Sequence, residues 1–520
     1  MKRPLASWVW ILLFCAVMFA QDAADSRFRS LHVDASKIAG EIRSFQGLNG
    51  PPSPIMAGLP TLVKQYRDLH VNQIRTHDVM GPTEIDSHFE LTDPLLVWLI
   101  PDDAQHSGVV KAGTASIIFP DWNADPNKPE SYNFGPTDKV IAAIKASGAE
   151  VYYRIGRSWG AGIEPPPNFD KYADAVKHIA MHYNQGWADG FRDNIRYWEF
   201  WNEPEALFWG GTPEQFYSLY EKTARKLKSV DPALKVGGDA IAFAYNPGPY
   251  REGFMDYCVT HEVPLDFYSW HTYADGSADP YDAVRISRNI RKILDARGLT
   301  KTESVLSEWN LTPDFTETAK ARLQGMENAA FIGAALTYFQ DAPIDHAQFY
   351  RGDAAWMGLF DLNGRYFKTA YTFEAMGKLQ ATPQRLAVHG ADTFGFAALA
   401  GRSADRSTVQ ILISNYVIPP ERHPMKMPQD VLKTLPPSLD FSKLKFLPRR
   451  TDIVYRDNSG YNLTVENLPW GKKAFSVKRY RIDETRNLDL VEDKSEIGGS
   501  LKLSNALAPD SVELIVLQKR

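Results

Sequence analysis

The chain has almost no cysteine. Among its 520 residues only Cys15 and Cys258 are cysteines. Cys15 lies in an N-terminal segment that we expect to be removed, so Cys258 would remain alone, without a partner for an intrachain disulfide. Stability must then come from apolar burial, and the length predicts either two domains or one large barrel with an added domain.

An excess of charge of one sign is also lacking. The net charge is −5, with 23% charged and 44% hydrophobic residues, and no basic stripe is present, so nucleic acid is not expected as a partner. The N-terminal apolar run from Trp8 to Ala20 follows Lys2 and Arg3 and is too short to span a bilayer. We therefore predict a signal peptide at residues 1–20, secretion or periplasmic export, and no membrane attachment of the mature chain.

Aromatic residues, in contrast, are plentiful at 12%, with 13 Trp and 23 Tyr. Flat rings stack on the apolar faces of sugars, which favours a carbohydrate ligand, although core packing explains most single rings.

Apolar strand-like runs alternate with amphipathic helical stretches over residues 30–378. Such alternation predicts an α/β fold, and eight strands predict a (β/α)8 TIM barrel. In that barrel, functional side chains lie where the strands end. The predicted strands are Ser44–Asn49, Gln73–His77, Glu150–Ile155, Tyr197–Asn202, Lys235–Gly238, Phe267–Thr272, Ser304–Ser307 and Ala347–Tyr350.

The period changes to strict alternation over residues 379–520, as in the run containing Val409, Ile411 and Ile413. Short, regularly spaced strands predict a C-terminal β-sandwich domain. The early strand Ser30–Val33 is expected to cross back to its sheet.

Two glutamates follow the pattern expected of a catalytic carboxyl pair. The run Trp198 to Trp201 ends abruptly in Asn202-Glu203-Pro204, where proline stops the strand and leaves Glu203 at its mouth. Aromatic surroundings raise the pKa of a carboxyl and suit it to donate a proton. Glu308 ends a second apolar strand in the same way. Two carboxyls facing each other across a cleft are what glycosidic bond cleavage requires.

The combination of these motifs resembles a known family. Trp201-Asn202-Glu203-Pro204, Ser307-Glu308-Trp309, Ser269-Trp270-His271-Thr272-Tyr273 and Arg75-Thr76-His77-Asp78 are similar to motifs of glycoside hydrolase family 39. This is the β-xylosidase and α-L-iduronidase family of the retaining (β/α)8 clan. The resemblance covers roughly residues 30 to 520, because that family also joins its barrel to a β-sandwich.

The resemblance implies that Glu203 is the acid/base and Glu308 the nucleophile. It implies that Arg75 holds the nucleophile and that Asn202 contacts the sugar hydroxyl next to the reacting carbon. It places His77 and His271 in the innermost sugar subsite, and we expect Tyr273 to hydrogen-bond the nucleophile. Two histidines without a third ligand at zinc spacing predict no metal, and no cofactor is expected.

The loop after the eighth strand departs from the family. Arg351 and Asp353 stand where family β-xylosidases place a glutamate on the terminal sugar. We expect Asp353 and Trp356 to contact substrate, with packing as the alternative for Trp356.

These features predict a secreted retaining glycosidase with β-xylosidase-like exo action on an oligosaccharide or polysaccharide. One alternative keeps the fold and mechanism but changes the substrate to an arabinoside, a uronic acid glycoside or an exopolysaccharide. A uronic acid needs a cation, which Arg157 or Arg351 could supply. The other alternative is a non-catalytic carbohydrate-binding protein.

Overall fold

The computed structural model describes residues 27–54, 59–79, 83–86, 117–157, 162–206, 208–313, 316–353, 356–421, 445, 447–456 and 458–520. The predicted signal peptide at residues 1–20 lies outside them. Within this described part of the chain, no helix combines the length and the apolar character that a membrane span requires.

The first strand, β1 (Phe28–Glu41), belongs to a large sheet described below, and the next eight strands form a closed parallel barrel. The (β/α)8 barrel predicted from the alternating pattern is confirmed. Its strands are β2 (Gly47–Asn49), β3 (Gln73–Arg75), β4 (Glu150–Ile155), β5 (Tyr197–Phe200), β6 (Lys235–Ile241), β7 (Phe267–Thr272), β8 (Glu303–Trp309) and β9 (His346–Phe349).

Local sequence signals account for the helices between these strands. Helix Pro213–Val230 begins at a capping box in which Thr212 and Gln215 satisfy each other's backbone N–H groups, with proline in the first turn. Helix Gly135–Ser147 ends at Gly148, whose φ of 88° is easy for glycine. The other described α-helices are Val63–Asp68, Phe169–Asn184, Phe254–Thr260, Asp282–Asp295, Glu317–Gln324, Met326–Phe339 and Lys368–Lys378.

Aromatic side chains fill the barrel near the start of its strands. Tyr152, Tyr197, Phe267 and Val305 form one buried cluster. The Tyr197 hydroxyl donates a 3.0 Å hydrogen bond to Glu303, which lies at the start of β8. This apolar cluster fills the barrel interior near the start of the strands, and the predicted site residues lie at the opposite end, where the strands terminate.

The second domain is rich in strands, as predicted, and its nine strands are hydrogen-bonded in one continuous order. The order is β15-β14-β17-β12-β11-β10-β1-β13-β16. All its neighbouring strands are antiparallel except β1 and β13. The strands are β10 (Gln384–His389), β11 (Phe396–Arg402), β12 (Thr408–Asn415), β13 (Gly460–Glu466), β14 (Ala474–Asp483), β15 (Arg486–Ile497), β16 (Leu501–Ala506) and β17 (Ser511–Lys519).

The alternating pattern shows which strand faces are buried, and the structure adds which strands are hydrogen-bonded to each other. β1 pairs with β10 on one side and with β13 on the other, which joins the two halves. The two ends of this strand order share one core. Leu463 in β13 and Leu503 in β16 lie in the same buried cluster as Val477 in β14 and Leu517 in β17.

The compact units divide the chain differently from the predicted domain bounds of 30–378 and 379–520. Described residues up to Arg43 lie with the sheet, because β1 pairs there. Lys445 lies with the barrel, where its backbone N–H donates a 2.6 Å hydrogen bond to Asn246.

Candidate active site

The predicted site residues lie at or just beyond the C-terminal ends of five barrel strands. Arg75 ends β3, and His77 follows it. Asn202 and Glu203 follow β5, His271 lies in β7 with Tyr273 after it, and Glu308 lies in β8. Asp353 and Trp356 follow β9. Closure of the barrel therefore brings residues from distant parts of the sequence to one rim.

Glu203 and Glu308 face each other at this rim. One oxygen from each carboxyl group and one ring nitrogen of His271 all lie within 4.8 Å of one another. Retaining glycosidases hold their carboxyl pair roughly 5–5.5 Å apart, whereas inverting ones need roughly 6.5–9.5 Å to admit a water. The two oxygens thus lie closer together than the inverting range, which favours a retaining arrangement.

Hydrogen-bond donors surround Glu308. Arg75 Nη1 donates to Oε1 at 2.7 Å, and the Tyr273 hydroxyl donates to Oε2 at 2.6 Å. His77 Nε2 lies 3.3 Å from Oε1. Burial raises the pKa of Glu308 to about 7, while the charge of Arg75 and the Tyr273 hydrogen bond oppose that rise. These donors favour the carboxylate form of Glu308.

Glu203 has a different environment. Its Oε1 lies 2.8 Å from His271 Nδ1, and no cationic side chain pairs with it among the described residues. Burial, followed by the charges of Glu308 and Glu205, raises the pKa of Glu203 well above its usual value. Burial also lowers the pKa of His271 far below its usual value, so the imidazole is neutral. Glu203 is thus the member of the pair that keeps its proton.

Register shifts in the barrel position the residues around this pair. A shift in the pairing of β7 with β8 places His271 opposite Glu308. Glu203 has a φ of 42° and Trp201 a φ of 70°, in a region that non-glycine residues rarely adopt. Such strained backbone persists only where surrounding contacts hold it, and it is common at functional sites.

Arg75 connects most of the site. It is fully buried and donates to Glu199 through Nε, to Asn49 at 3.0 Å and to Asn202 at 2.8 Å, besides Glu308. Its single positive charge is therefore shared between the carboxylates of Glu199 and Glu308. Asn202, which was expected to contact sugar, has its amide oxygen occupied by Arg75 and keeps its amide nitrogen as a donor.

Sequence reasoning missed Asn49. It is fully buried at the end of β2, and its amide nitrogen donates to the carbonyls of Ser307 at 2.8 Å and Gln348 at 3.1 Å. Its amide oxygen accepts from Arg75. The available signal was an asparagine directly after apolar Leu48, the same pattern that marks Asn202.

A second polar cluster lies beside His77. His77 Nε2 is 3.3 Å from Asp78, and the Tyr350 hydroxyl donates to Asp78 at 2.7 Å. Arg351 binds both carboxylate oxygens of Asp353, and both side chains are 1% exposed. Asp353 therefore serves first as the partner of Arg351.

The two arginines proposed to bind a uronic acid are both paired within the chain. Arg351 is neutralised by Asp353. Arg157 forms a 3.0 Å ion pair with Asp86 and also donates to the carbonyls of Gly162 and Glu164. Neither guanidinium offers uncompensated charge to a substrate carboxylate.

Trp356 is packed rather than open. The residue is 9% exposed, and the Lys320 ammonium lies 4.7 Å from the centre of its ring. A stacking platform needs an accessible face, and this arrangement covers one.

One group of side chains has the spacing of a metal site in the described part of the chain: Glu203, His271 and Glu308. These are the residues of the carboxyl pair, and Arg75 already lies 2.7 Å from Glu308. A fixed positive charge at that distance opposes the binding of a second cation. The absence of a metal stays a prediction.

A sequence model of glycosyl hydrolases family 39 matches residues 140–322, which include both glutamates. A β-xylosidase of Geobacillus stearothermophilus is 28% identical over 173 residues, and one of Caldicellulosiruptor saccharolyticus is 32% identical over 133 residues. These matches cover 30% and 25% of this chain, and 33% and 25% of the two relatives, so at most a third of each curated relative is aligned.

A solved structure aligns over nearly the whole chain. It is that of a glucosidase from Croceicoccus marinus, 35% identical, covering 95% of this chain and 99% of that chain with a TM-score of 0.80. The match to the family model includes both glutamates, and the closed barrel brings them together. The similarity to the solved structure extends through the second domain. The chain belongs to glycosyl hydrolase family 39.

Proposed function

We propose that the protein is a retaining glycosidase that acts at the end of a saccharide chain by double displacement. The observation that carries this proposal is the pair formed by Glu203 and Glu308. Their side chains lie within retaining distance but in opposite environments, one without a cationic partner and one bound by Arg75 and Tyr273.

In the first step, the Glu308 carboxylate attacks the anomeric carbon as the bond from that carbon to the leaving oxygen breaks. Glu203 gives its proton to this oxygen, so the leaving group departs as a neutral alcohol. Glu308 is then covalently bound to the sugar, and Glu203 has become a carboxylate.

In the second step, Glu203 removes a proton from water, and the resulting oxygen attacks the same carbon. The bond to Glu308 breaks, which restores its carboxylate and releases a sugar with the original anomeric configuration. His271 Nδ1 can accept from protonated Glu203 and, after a change of tautomer, donate to its carboxylate form.

For the substrate, we propose a β-xyloside, because two curated β-xylosidases are similar to parts of this chain, at 28% identity over 173 residues and 32% over 133 residues. A glucoside is the second candidate, favoured by the 35% identity to the Croceicoccus marinus glucosidase over 99% of that chain. A uronic acid glycoside is disfavoured because Arg157 and Arg351 are already paired with carboxylates.

We further propose export of the protein. The support is the sequence alone: Lys2 and Arg3 precede the apolar run from Trp8 to Ala20. N-terminal sequencing of the protein in the cytoplasmic and extracytoplasmic fractions of an expressing bacterium tests it. Protein outside the cytoplasm that begins shortly after Ala20 supports export, and protein confined to the cytoplasm with an intact Met1 contradicts it.

The test of activity is a panel of 4-nitrophenyl glycosides that includes xylosides, glucosides, arabinosides and uronides, with the first-formed anomer followed by NMR. We expect turnover of a β-xyloside or a glucoside and release of the sugar with retained configuration. The variant carrying both Glu203→Gln and Glu308→Gln is the control and should show no turnover. An inverted product, or sugar binding without turnover across the panel, would contradict the proposal.

A further inference from the structure

The loop that carries Glu203 is held on both sides by neighbouring strands. On one side, the Trp201 backbone N–H donates 2.6 Å to the carbonyl of Ile155 at the end of β4. On the other side, the Glu203 backbone N–H donates 2.9 Å to the carbonyl of Ala240 in β6. These contacts span the residues with positive φ.

A bulge in β6 makes the second contact available. The pairing of β6 with β7 shifts register between Asp239 and Ile241, and Ala240 between them has a φ of 57°. The Ala240 N–H is satisfied by Ser269 Oγ at 3.0 Å, and its carbonyl accepts from Glu203. β-bulges are common next to active sites, where they change the direction of a backbone or side-chain group.

Glu205 adds a second link, from the same loop to the segment that follows β6. Its Oε1 accepts a 2.9 Å hydrogen bond from the backbone N–H of Phe243, three residues beyond the bulge. Its Oε2 is buried and has no hydrogen-bond partner among the described residues. Glu205 also forms no ion pair within that part of the chain. A carboxylate on a solvent-facing loop needs neither a backbone hydrogen bond to another segment nor a buried, unbonded oxygen.

We propose that Glu205 is a positioning residue for the proton donor: it clamps the Glu203 loop to the segment that follows β6 and keeps a carboxyl without a cation next to Glu203. The proposal rests on the proposed function, because it assigns Glu203 the role of acid. It extends the site by a residue that does not touch the substrate.

Electrostatics support this arrangement. Burial raises the pKa of Glu205 to about 7, and the charge that Glu205 carries above that pH disfavours loss of the Glu203 proton. The buried carboxyl of Asp239 also lies close, and burial followed by the charge of Glu205 raises its pKa well above the usual value. The charge of Glu205 also adds to the effect of burial in raising the pKa values of Tyr250 and Tyr268.

The other charged groups around Glu203 act on it from different strands. Glu308 and Asp78 disfavour its ionisation, and Arg75 favours it. His271 is neutral and bonds to it directly. Changing Glu205 leaves all of these in place, so its effect can be measured separately.

The first experiment compares pH profiles of kcat/KM for the full-length wild type and Glu205→Gln on a 4-nitrophenyl glycoside that the wild type cleaves. Glutamine keeps an oxygen that accepts from Phe243 and removes the charge. We expect the alkaline limb, which reports Glu203, to move to lower pH by about 0.5–1 unit. Glu150→Gln, an exposed glutamate at the opposite end of the barrel, is the control and should not move it. Superimposable Glu205→Gln and wild-type profiles would overturn the proposal.

The second experiment uses Glu205→Ala, which removes the clamp as well. Loss of a well-placed proton donor slows substrates with poor leaving groups selectively. We expect kcat/KM to fall at least about tenfold for a methyl glycoside and less than about threefold for a 2,4-dinitrophenyl glycoside. An equal fall for both would show a merely structural role and overturn the proposal.

A third readout does not depend on turnover. In protein with ¹³C-labelled glutamate carboxyls, the Glu203 signal is the one absent from Glu203→Gln. We expect its titration midpoint to fall in Glu205→Gln, and an unchanged midpoint would overturn the proposal. If the wild type cleaves no glycoside, the proposed function fails, and this titration still decides the role of Glu205.

Discussion

Arg75 donates a 2.7 Å hydrogen bond to Glu308, and both side chains are buried at the rim of the barrel. A charge-assisted hydrogen bond of this kind stabilises a carboxylate that burial alone would protonate. Because Arg75 also binds Glu199, the charge available to Glu308 is set by a residue deeper in the barrel. Changes in either partner of Glu308 should therefore appear in the pH dependence of activity.

Tyr273→Phe removes the 2.6 Å hydrogen bond to Oε2 of Glu308. That bond lowers the pKa of Glu308, so its loss raises the pKa, and the acidic limb of kcat/KM should move to higher pH. A hydrogen bond to a charged group is worth about 1.5–3 kcal/mol, so kcat/KM at the optimum should fall roughly 10- to 100-fold. Tyr257→Phe is a matched control, because Tyr257 makes a 2.6 Å bond to Glu221 outside the site. An acidic limb that stays in place would contradict the role of Tyr273.

Glu199→Gln should move the same limb in the opposite direction. With Glu199 neutral, more of the Arg75 charge acts on Glu308, so its carboxylate form is favoured and the limb shifts to lower pH. The variant should also be less stable in urea denaturation, because an ion pair between fully buried groups is broken. Glu303→Gln, which removes an ion pair with Lys235 near the start of the strands, should leave the limb unchanged. A shift to higher pH would show that Glu199 does not act through Arg75.

Glu203→Ala should slow the enzyme according to the leaving group. Loss of a general acid costs about 10²- to 10⁴-fold for substrates that need protonation and far less for dinitrophenyl glycosides. Azide should accelerate the reaction by taking the place of water and giving a glycosyl azide of retained configuration. Equal losses on both substrates, with no azide product, would assign the acid to another residue.

Trp356→Ala should affect stability more than binding. The ring is buried beneath Lys320, so its removal leaves a cavity and should cost about 3–5 kcal/mol in chemical denaturation. KM should change by less than about threefold, since a covered ring contributes little to stacking. Lys320→Ala keeps the Trp356 ring and exposes the face that Lys320 covers, so it distinguishes a packing role of Trp356 from a stacking role. A large rise in KM for Trp356→Ala without loss of stability would restore Trp356 as a substrate contact.

Several parts of the site could be predicted from the sequence because their signals are local. Glu203 follows an apolar strand and precedes a proline, and Glu308 ends another apolar strand before Trp309, so both could be placed at strand ends. The eight predicted strands required a closed barrel. Only the closing of that barrel brings Glu203 and Glu308 together.

The remaining features depend on pairing between distant residues. Glu199 lies in β5 and Glu308 in β8, and only the closed barrel shows that both carboxylates meet Arg75 at the end of β3. The sequence left Arg351 available to a substrate, whereas in the structure it forms an ion pair with Asp353. The residue pattern of β6 does not indicate the bulge at Ala240. The hydrogen bond from the Glu203 backbone N–H to the Ala240 carbonyl could therefore not be predicted.

The most direct test of the retaining mechanism is to capture the covalent intermediate. The protein is incubated with 2-deoxy-2-fluoro-β-xyloside and β-glucoside inactivators, and the labelled peptide is identified by mass spectrometry. We expect one sugar per chain, attached to Glu308, and no label on Glu308→Gln. Attachment to Glu203 or Glu199, or an enzyme that cleaves its substrate while no label ever forms, would contradict the assignment of Glu308 as the nucleophile.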